Sequence, residues 1–159
     1  MAYYSGIASG YEELHKDEQL GKLKLVLERL PYKKTDKVLD IGCGTGLSSL
    51  LFSCQKFGID PSFELLEQAK PRLPVVQGIA EQLPFRDNAF DIVICLTALH
   101  NFTDPLRGLL EMKRVGTGKF AISILKRAKQ FEELMKMASK TFKVKEMLED
   151  PKDFILFCE

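Results

Sequence analysis

The sequence predicts an α/β protein with a doubly wound, mostly parallel seven-stranded sheet, helices on both faces and an antiparallel C-terminal hairpin. Three observations support this fold class. Short β-branched runs alternate with longer helical patterns, as in parallel sheets covered by helices. A glycine-rich turn comes after the first of these runs. The last two runs are too close in sequence for a parallel crossover, which needs a dozen or more residues.

In the first half of the chain, hydrophobic spacing and turn residues mark the predicted elements. A helix is predicted over 17–29 because leucines recur every three or four residues on one helical face, and Pro31 ends it. A glycine-rich turn over 42–46 separates the first strand from a short helix through Leu50 and Leu51. The other predictions are strand Lys37–Ile41, strand Lys56–Ile59 closed by Asp60, a helix capped by Ser62 that carries Leu65, Leu66 and Ala69, and a weaker strand within 71–77.

The second half continues the alternation. The run Phe90–Leu96 is nearly continuous in Ile, Val and Phe, which is typical of a strand buried on both faces. Asp104 and Pro105 predict a helix start, because an N-cap acceptor precedes a residue suited to the first helical position. The other predictions are packing of that helix through Leu106, Leu109 and Leu110, its end near Gly116 and Gly118, strand Phe120–Leu125, a helix marked by Phe131, Leu134, Met135 and Ala138, and hairpin strands Phe142–Met147 and Phe154–Phe157.

Length and composition restrict the classes of protein. A chain of 159 residues fits one domain, expected here as a helical cap segment over 1–36 and a catalytic core over 37–159. The net charge of +1 gives no indication of nucleic-acid binding. No run approaches the roughly 20 apolar residues of a membrane span. We expect a cytoplasmic protein without a metal site, because no C-x-x-C pair occurs among the four cysteines, Cys43, Cys54, Cys95 and Cys158.

The glycine-rich turn carries the functional prediction. Glycine lacks a Cβ, so a cofactor can lie against the backbone, and a helix after the turn offers free N–H groups. A dinucleotide fingerprint would need glycine at position 47, where the sequence has Leu47, and a P-loop would need a lysine after Gly46. Asp60 lies 20 residues after Asp40 and closes the second strand, where a carboxylate can accept hydrogen bonds from ribose hydroxyls. The pattern therefore favours an adenosine cofactor.

Four segments resemble those of a known family. Val38–Gly46, with its D-x-G-x-G-x-G pattern, resembles the first motif of class I S-adenosylmethionine-dependent methyltransferases, which have a Rossmann-like fold. Gly78–Phe85 resembles the G-x-A-E-x-L-P-F segment of the branch that includes ubiquinone and menaquinone methyltransferases. Phe90–His100 is similar to that family's F-D-x-V strand and the segment after it. Ser9–Leu14 resembles the N-terminal segment that folds over the cofactor in this branch.

The resemblance implies S-adenosylmethionine as the cofactor and a set of residues that bind it. It places Ile79 and Ala80 against the adenine, and Leu96 and Thr97 beside the methionine part. For each of these residues a purely structural role stays open. The glycines could form only a tight turn and Asp60 could only cap a helix, while Glu81 could be a surface acid and Tyr11 an ordinary packed residue. The expected cofactor-binding residues are Tyr11, Asp40, Gly42, Cys43, Gly44, Gly46, Asp60, Pro61, Ile79, Ala80, Glu81, Leu96 and Thr97.

A small-molecule methyl acceptor is the leading expectation. The donor is already activated, so positioning supplies most of the rate and no catalytic triad is needed. The segment 96–99 lacks the N-P-P-Y-like sequence of amine and amide methylases. His100 is a candidate general base, or else only a hydrogen-bonding turn residue. The alternatives are a tRNA or protein methyltransferase acting as a homodimer or with a small partner subunit, a non-catalytic cofactor-binding scaffold, and a nicotinamide dehydrogenase.

Overall fold

The computed structural model describes residues 8–47 and 50–159, with side chains from residue 16 onward. Its α-helices are α1 (Ala8–Arg29), α2 (Phe63–Ala69), α3 (Pro105–Val115) and α4 (Phe131–Thr141), and a 3₁₀ helix spans Leu99–Asn101. The predicted caps are confirmed: Ser62 Oγ accepts from Leu65 N, and Asp104 Oδ1 accepts from Arg107 N. These two side chains satisfy backbone N–H groups that a helix start leaves without partners.

Seven strands form one mixed sheet, as the sequence predicts. They are β1 (Lys37–Ile41), β2 (Gln55–Asp60), β3 (Val75–Gln77), β4 (Phe90–Cys95), β5 (Gly116–Leu125), β6 (Val144–Glu149) and β7 (Asp153–Cys158). Their order is β3-β2-β1-β4-β5-β7-β6. Strands β1 to β5 pair in parallel, whereas β7 is antiparallel to both β5 and β6. The strand order reverses between β1 and β4, so the carboxyl ends of these strands open the crevice where α/β sheets bind ligands.

Two hydrophobic clusters cover the two faces of the sheet. Alternate side chains of a strand point to opposite faces, so Val38 belongs to one cluster and Leu39 to the other. The Val38 face packs against α1 through Leu23 and Val26. The Leu39 face holds residues of α3 and α4. Helices therefore pack on both faces of the sheet and hold the carboxyl ends of its strands in place.

The structure corrects the predicted packing of α3. Leu109 is fully buried, but Leu106 and Leu110 are 43% and 48% exposed. The buried stripe continues instead through Met112 and Val115. Leu110 is rotated from Leu109 by about 100° around the helix, which turns it away from the sheet. The spacing of leucines alone does not identify which of them lies at the centre of the buried face.

The short helix predicted after the glycine-rich turn lies partly outside the described residues, since residues 48 and 49 are not among them. Only eight residues, 47–54, separate Gly46 from β2. In the described part of this stretch Leu47 is 3₁₀-helical, Leu50 and Leu51 lie in turns, and no α-helix is present. A smaller difference is that β5 begins at Gly116, directly after α3, so that glycine starts a strand.

Candidate cofactor-binding site

The glycine-rich loop lies at the carboxyl end of β1 and is fastened to β2. The amides of Gly42 and Cys43 both donate to the carbonyl of Ile59, at 2.8 and 3.1 Å. Gly42 has φ +72°, a left-handed conformation that favours glycine, and a Cβ there would lie 2.4 Å from the Cβ of Ala98. Glycine is therefore required at this position by both conformation and space.

The carboxylate of Asp60 links the loop to the start of α2. Its Oδ2 accepts from the amide of Gly44 and its Oδ1 accepts from the amide of Ser62, each at 2.9 Å. Burial raises the pKa of Asp60, and the two backbone hydrogen bonds oppose that rise. Each carboxylate oxygen can accept more than one hydrogen bond. Asp60 can therefore hold the loop and still accept from a ligand hydroxyl.

A cavity of about 270 Å³ opens between this loop and the segments after β3 and β4. It lies at the reversal of strand order, where the fold predicts a ligand. The residues that line it are Ile41, Gly42, Gly44, Ile59, Asp60, Pro61, Ser62, Leu65, Gly78, Ile79, Ala80, Glu81, Leu96, Thr97, Ala98, Asn101, Phe102 and Thr103.

Most of the predicted residues meet at this cavity. Nine of them line it: Gly42, Gly44, Asp60, Pro61, Ile79, Ala80, Glu81, Leu96 and Thr97. Asp40, Cys43 and Gly46 do not line it. The thiol of Cys43 packs beside Gly58, where burial raises its pKa strongly, and Gly46 packs against Leu73. The side chain of Tyr11 lies outside the described residues, so its contact with the cofactor remains a prediction.

The remaining lining residues are not among the predicted site residues. The sequence identifies Ser62 only as a helix cap, although it is adjacent to Pro61 in the lining. Asn101, Phe102 and Thr103 belong to the end of the 3₁₀ helix and the residues after it, within the loop 99–104 that the sequence indicates as a source of substrate contacts and not of cofactor contacts. Their proximity to the carboxyl end of β4 is the available signal, because ligands of such sheets contact the loops that leave this edge.

Glu81 connects the cavity lining to α3. Its Oε1 accepts from the amide of Asp104 at 3.1 Å, and its backbone carbonyl accepts from Arg107 Nε at 3.3 Å. Glu81 is thus more than a solvated surface acid. Its side chain fixes the start of α3 while bordering the ligand space.

His100 lies in the 3₁₀ helix but does not line the cavity. Its Nδ1 is buried and has no hydrogen-bond partner among the described residues. Burial lowers the pKa of His100, and the charge of Asp153 partly offsets this effect. The imidazole is therefore neutral near pH 7, the state a general base requires. Its role as a base remains a prediction.

The chemistry of the lining fits S-adenosylmethionine. Asp60 provides a carboxylate for ribose hydroxyls, and apolar side chains at Ile59, Ile79 and Phe102 suit an aromatic base. The charged side chains among the described lining residues are acidic, Asp60 and Glu81. This sign is compatible with a sulfonium, which carries positive charge, and the glycine spacing does not match a dinucleotide fingerprint. Fold and cavity together define a nucleoside-binding α/β domain of the class I methyltransferase type.

Comparisons with known proteins agree with that class. The family model described as a methyltransferase domain matches residues 39–122. The chain is 33% identical over 118 residues to the uncharacterized methyltransferase YcgJ of Bacillus subtilis, a match over 65% of this chain and 47% of that protein. It is 32% identical over 137 residues to the demethylmenaquinone methyltransferase of Thermotoga maritima, over 79% of this chain and 60% of that protein.

A solved structure resembles nearly the whole chain. The complex between the Haloferax volcanii Trm112 methyltransferase activator and its candidate methyltransferase matches with a TM-score of 0.82 and 18% identity, over 98% of this chain and 96% of that chain. At this identity the likeness shows the fold.

The chain belongs to the family of S-adenosylmethionine-dependent methyltransferase domains, since the family model covers more than half of it. S-adenosylmethionine is the cofactor of this class. The chain spans about half the length of the curated relatives it matches. Across the part of the chain that the structure describes, no helix is both long and apolar enough to cross a membrane.

Proposed function

We propose that this domain transfers the methyl group of S-adenosylmethionine to a small-molecule acceptor. The observation that carries the proposal is the character of the cavity wall. Apolar and small side chains dominate it, and its charged members, Asp60 and Glu81, are acidic. A polyanion such as tRNA is held mainly by lysine and arginine contacts to phosphates, and such side chains are not among the described lining residues.

Two lysines near the end of β5 are paired with acidic side chains. Lys126 pairs with Glu149, and Lys152 pairs with Glu18, each at 2.6 Å. These acidic partners offset the charges of the two lysines. The relatives include demethylmenaquinone methyltransferases, whose name gives demethylmenaquinone as their acceptor. A quinone of this kind is an acceptor of low charge, as the proposal expects.

Positioning is the chain's contribution to such a reaction. When bound, S-adenosylmethionine supplies a methyl group already activated on a sulfonium sulfur. Asp60 binds the nucleoside, and the glycine-rich loop limits how deeply the nucleoside enters the cavity. The turn at Leu96 and Thr97 borders the end of the cofactor that carries the methyl group. Alignment and exclusion of water then provide most of the acceleration.

Label transfer from radioactive S-adenosylmethionine tests the proposal. The purified protein is incubated with a cell extract divided into small-molecule, RNA and protein fractions. We expect label in organic-extractable small molecules, with nuclease and protease treatment making no difference. Label confined to RNA or to protein would contradict the small-molecule acceptor. A matched variant, Asp60→Ala, reports how much label depends on this cavity.

A partner-dependent methyltransferase of tRNA or protein is the second candidate. The Haloferax volcanii complex favours it, because a domain of the same fold is found there with an activator. Light scattering of the isolated chain distinguishes monomer from homodimer. A stable monomer that is inactive on every fraction, and becomes active when a second subunit is added, would favour this candidate.

His100 is proposed as the base that removes a proton from the acceptor. Its neutral imidazole and its position next to the lining residue Asn101 support the role, which requires the acceptor to reach an imidazole that does not itself line the cavity. If it acts so, the rate at low pH should fall as the imidazole becomes protonated, and His100→Ala should abolish that limb of the pH–rate profile. An unaltered profile would exclude His100 as the base.

A further inference from the structure

A buried polar cluster lies beside the cofactor cavity and joins four elements of the fold. It consists of Lys22 on α1, Thr97 after β4, Ser123 on β5 and Asp153 at the start of β7, with Glu18 at its margin. Lys22, Ser123 and Asp153 are 0% exposed. We call these five residues the Lys22 cluster. Lysine and aspartate are rarely buried to this extent unless they are paired.

Hydrogen bonds connect every member of the cluster. The ammonium of Lys22 has three N–H donors, and it meets Glu18 Oε1 at 2.9 Å, Thr97 Oγ1 at 2.8 Å and Asp153 Oδ2 at 2.8 Å. Asp153 Oδ2 also accepts from the hydroxyls of Thr97 and Ser123, each at 2.9 Å. The buried positive charge of Lys22 is thus fully partnered.

The cluster converges on a residue with an uncommon backbone. Thr97 has φ +54°, in the left-handed region that a β-branched residue rarely adopts. Its amide donates to Ser123 Oγ at 2.7 Å, and its hydroxyl contacts both Lys22 and Asp153. The backbone amide and the side-chain hydroxyl of Thr97 are therefore both bonded to the cluster, and these bonds oppose relaxation of Thr97 into an extended conformation.

Thr97 also belongs to the cavity wall, with Leu96 before it and Ala98 after it. Ala98 lies so close to Gly42 of the glycine-rich loop that a Cβ added to Gly42 would clash with it. A change in the conformation of Thr97 would therefore move both this wall and its contact with the loop. The strained residue is at a point where its geometry sets the shape of the ligand space.

A buried ion pair adds little net stability compared with apolar side chains of similar size, so stability alone does not account for this cluster. Strained backbone persists where the surroundings determine it, and such sites concentrate at ligand-binding positions. We propose that the Lys22 cluster is a positioning unit of the cofactor site: it holds Thr97 in its left-handed conformation and so fixes the turn Leu96–Ala98 against the glycine-rich loop. The proposal concerns the cofactor cavity and does not depend on the identity of the acceptor.

A double-mutant cycle between Lys22 and Thr97 tests the proposal. The probe is S-adenosylhomocysteine, and its dissociation constant is measured by calorimetry on the full chain. Lys22→Met should weaken binding by about 10-fold, the loss expected for one charge-assisted hydrogen-bond network. Glycine adopts φ > 0 without the cluster's help. In a Thr97→Gly background the same Lys22→Met change should therefore cost less than about 3-fold.

Ser123→Ala provides a second, milder variant, because it removes the partner of the Thr97 amide and leaves the Lys22–Asp153 ion pair in place. We expect about 3- to 10-fold weaker binding, again largely lost in the Thr97→Gly background. Thr141→Val is the matched control, since it removes a buried hydroxyl that bonds to Met137 O within α4, away from the cavity. The control should lower stability without changing affinity.

Two results would overturn the proposal. One is an equal loss of affinity for Lys22→Met, or for Ser123→Ala, with and without the Thr97→Gly substitution, since that would mean that the cluster does not act through the conformation of this turn. The other is unchanged affinity in both single variants. If the cluster had only a structural role, its substitutions would lower the melting temperature, and Thr97→Gly would not reduce their effect on affinity.

Discussion

Replacement of Asp60 by alanine perturbs the cofactor site most specifically. The carboxylate is 8% exposed, accepts from the amides of Gly44 and Ser62 at 2.9 Å, and lines the cavity. A hydrogen bond to a charged group contributes about 1.5–3 kcal/mol. Loss of the carboxylate should therefore weaken binding of S-adenosylhomocysteine by about 10- to 100-fold.

Isothermal titration calorimetry measures this change directly. The matched control is Asp91→Ala, because Asp91 also accepts from a backbone amide, that of Lys37 at 2.8 Å, but lies near the start of β4 at the opposite edge of the sheet. Asp91→Ala should leave the affinity within about 2-fold of the starting protein, well below the effect of one hydrogen bond. Unchanged affinity in Asp60→Ala, or an equal loss in both variants, would refute the placement of the nucleoside beside Asp60.

Three further predictions concern pH, the loop and the core. Since burial raises the pKa of Asp60, affinity for S-adenosylhomocysteine should fall as the pH is lowered through that raised pKa. In Asp60→Ala, the affinity measured by calorimetry should no longer depend on pH in this range. An equal decline of affinity in the variant would show that Asp60 is not the titrating group. Gly42→Ala should abolish measurable binding of S-adenosylhomocysteine, because the alanine would have an unfavourable φ and its Cβ would lie 2.4 Å from Ala98. The control Gly21→Ala on α1 places a Cβ where nothing lies within 4 Å, and it should stabilise the protein by about 1 kcal/mol in urea unfolding. Retained binding in Gly42→Ala would contradict the steric requirement for glycine in the loop. Leu109→Ala should lower the free energy of unfolding by about 2–5 kcal/mol and Leu110→Ala by well under half of that, as their burial differs; equal losses would contradict the packing of α3.

Local signals predict the glycine-rich loop and Asp60, which meet at the cavity. The glycine spacing, the strand before it and the 20-residue interval to Asp60 all lie within one stretch of chain. Each feature has a steric or hydrogen-bonding cause that acts over a few residues. The strand pattern likewise predicts a parallel sheet with an antiparallel edge, which the pairing of β5, β6 and β7 confirms.

The rest of the site depends on contacts that the sequence does not display. Lys22 meets Thr97 across 75 positions, and Ser123 meets Asp153 across 30. A lysine among the leucines of an N-terminal helix gives no local indication that its ammonium is buried. The exposed positions of Leu106 and Leu110 escape prediction for a related reason, since the spacing of leucines does not show which side of α3 faces the sheet.

This cavity is expected to prefer an S-adenosyl nucleoside to a dinucleotide, and the assignment of the site depends on that preference. Thermal-shift and calorimetric titrations of the same preparation with S-adenosylhomocysteine and with NAD compare the two ligands. We predict saturable binding and a raised melting temperature with S-adenosylhomocysteine, and neither effect with NAD. Binding of NAD without binding of S-adenosylhomocysteine would contradict the assignment of the glycine-rich loop and Asp60.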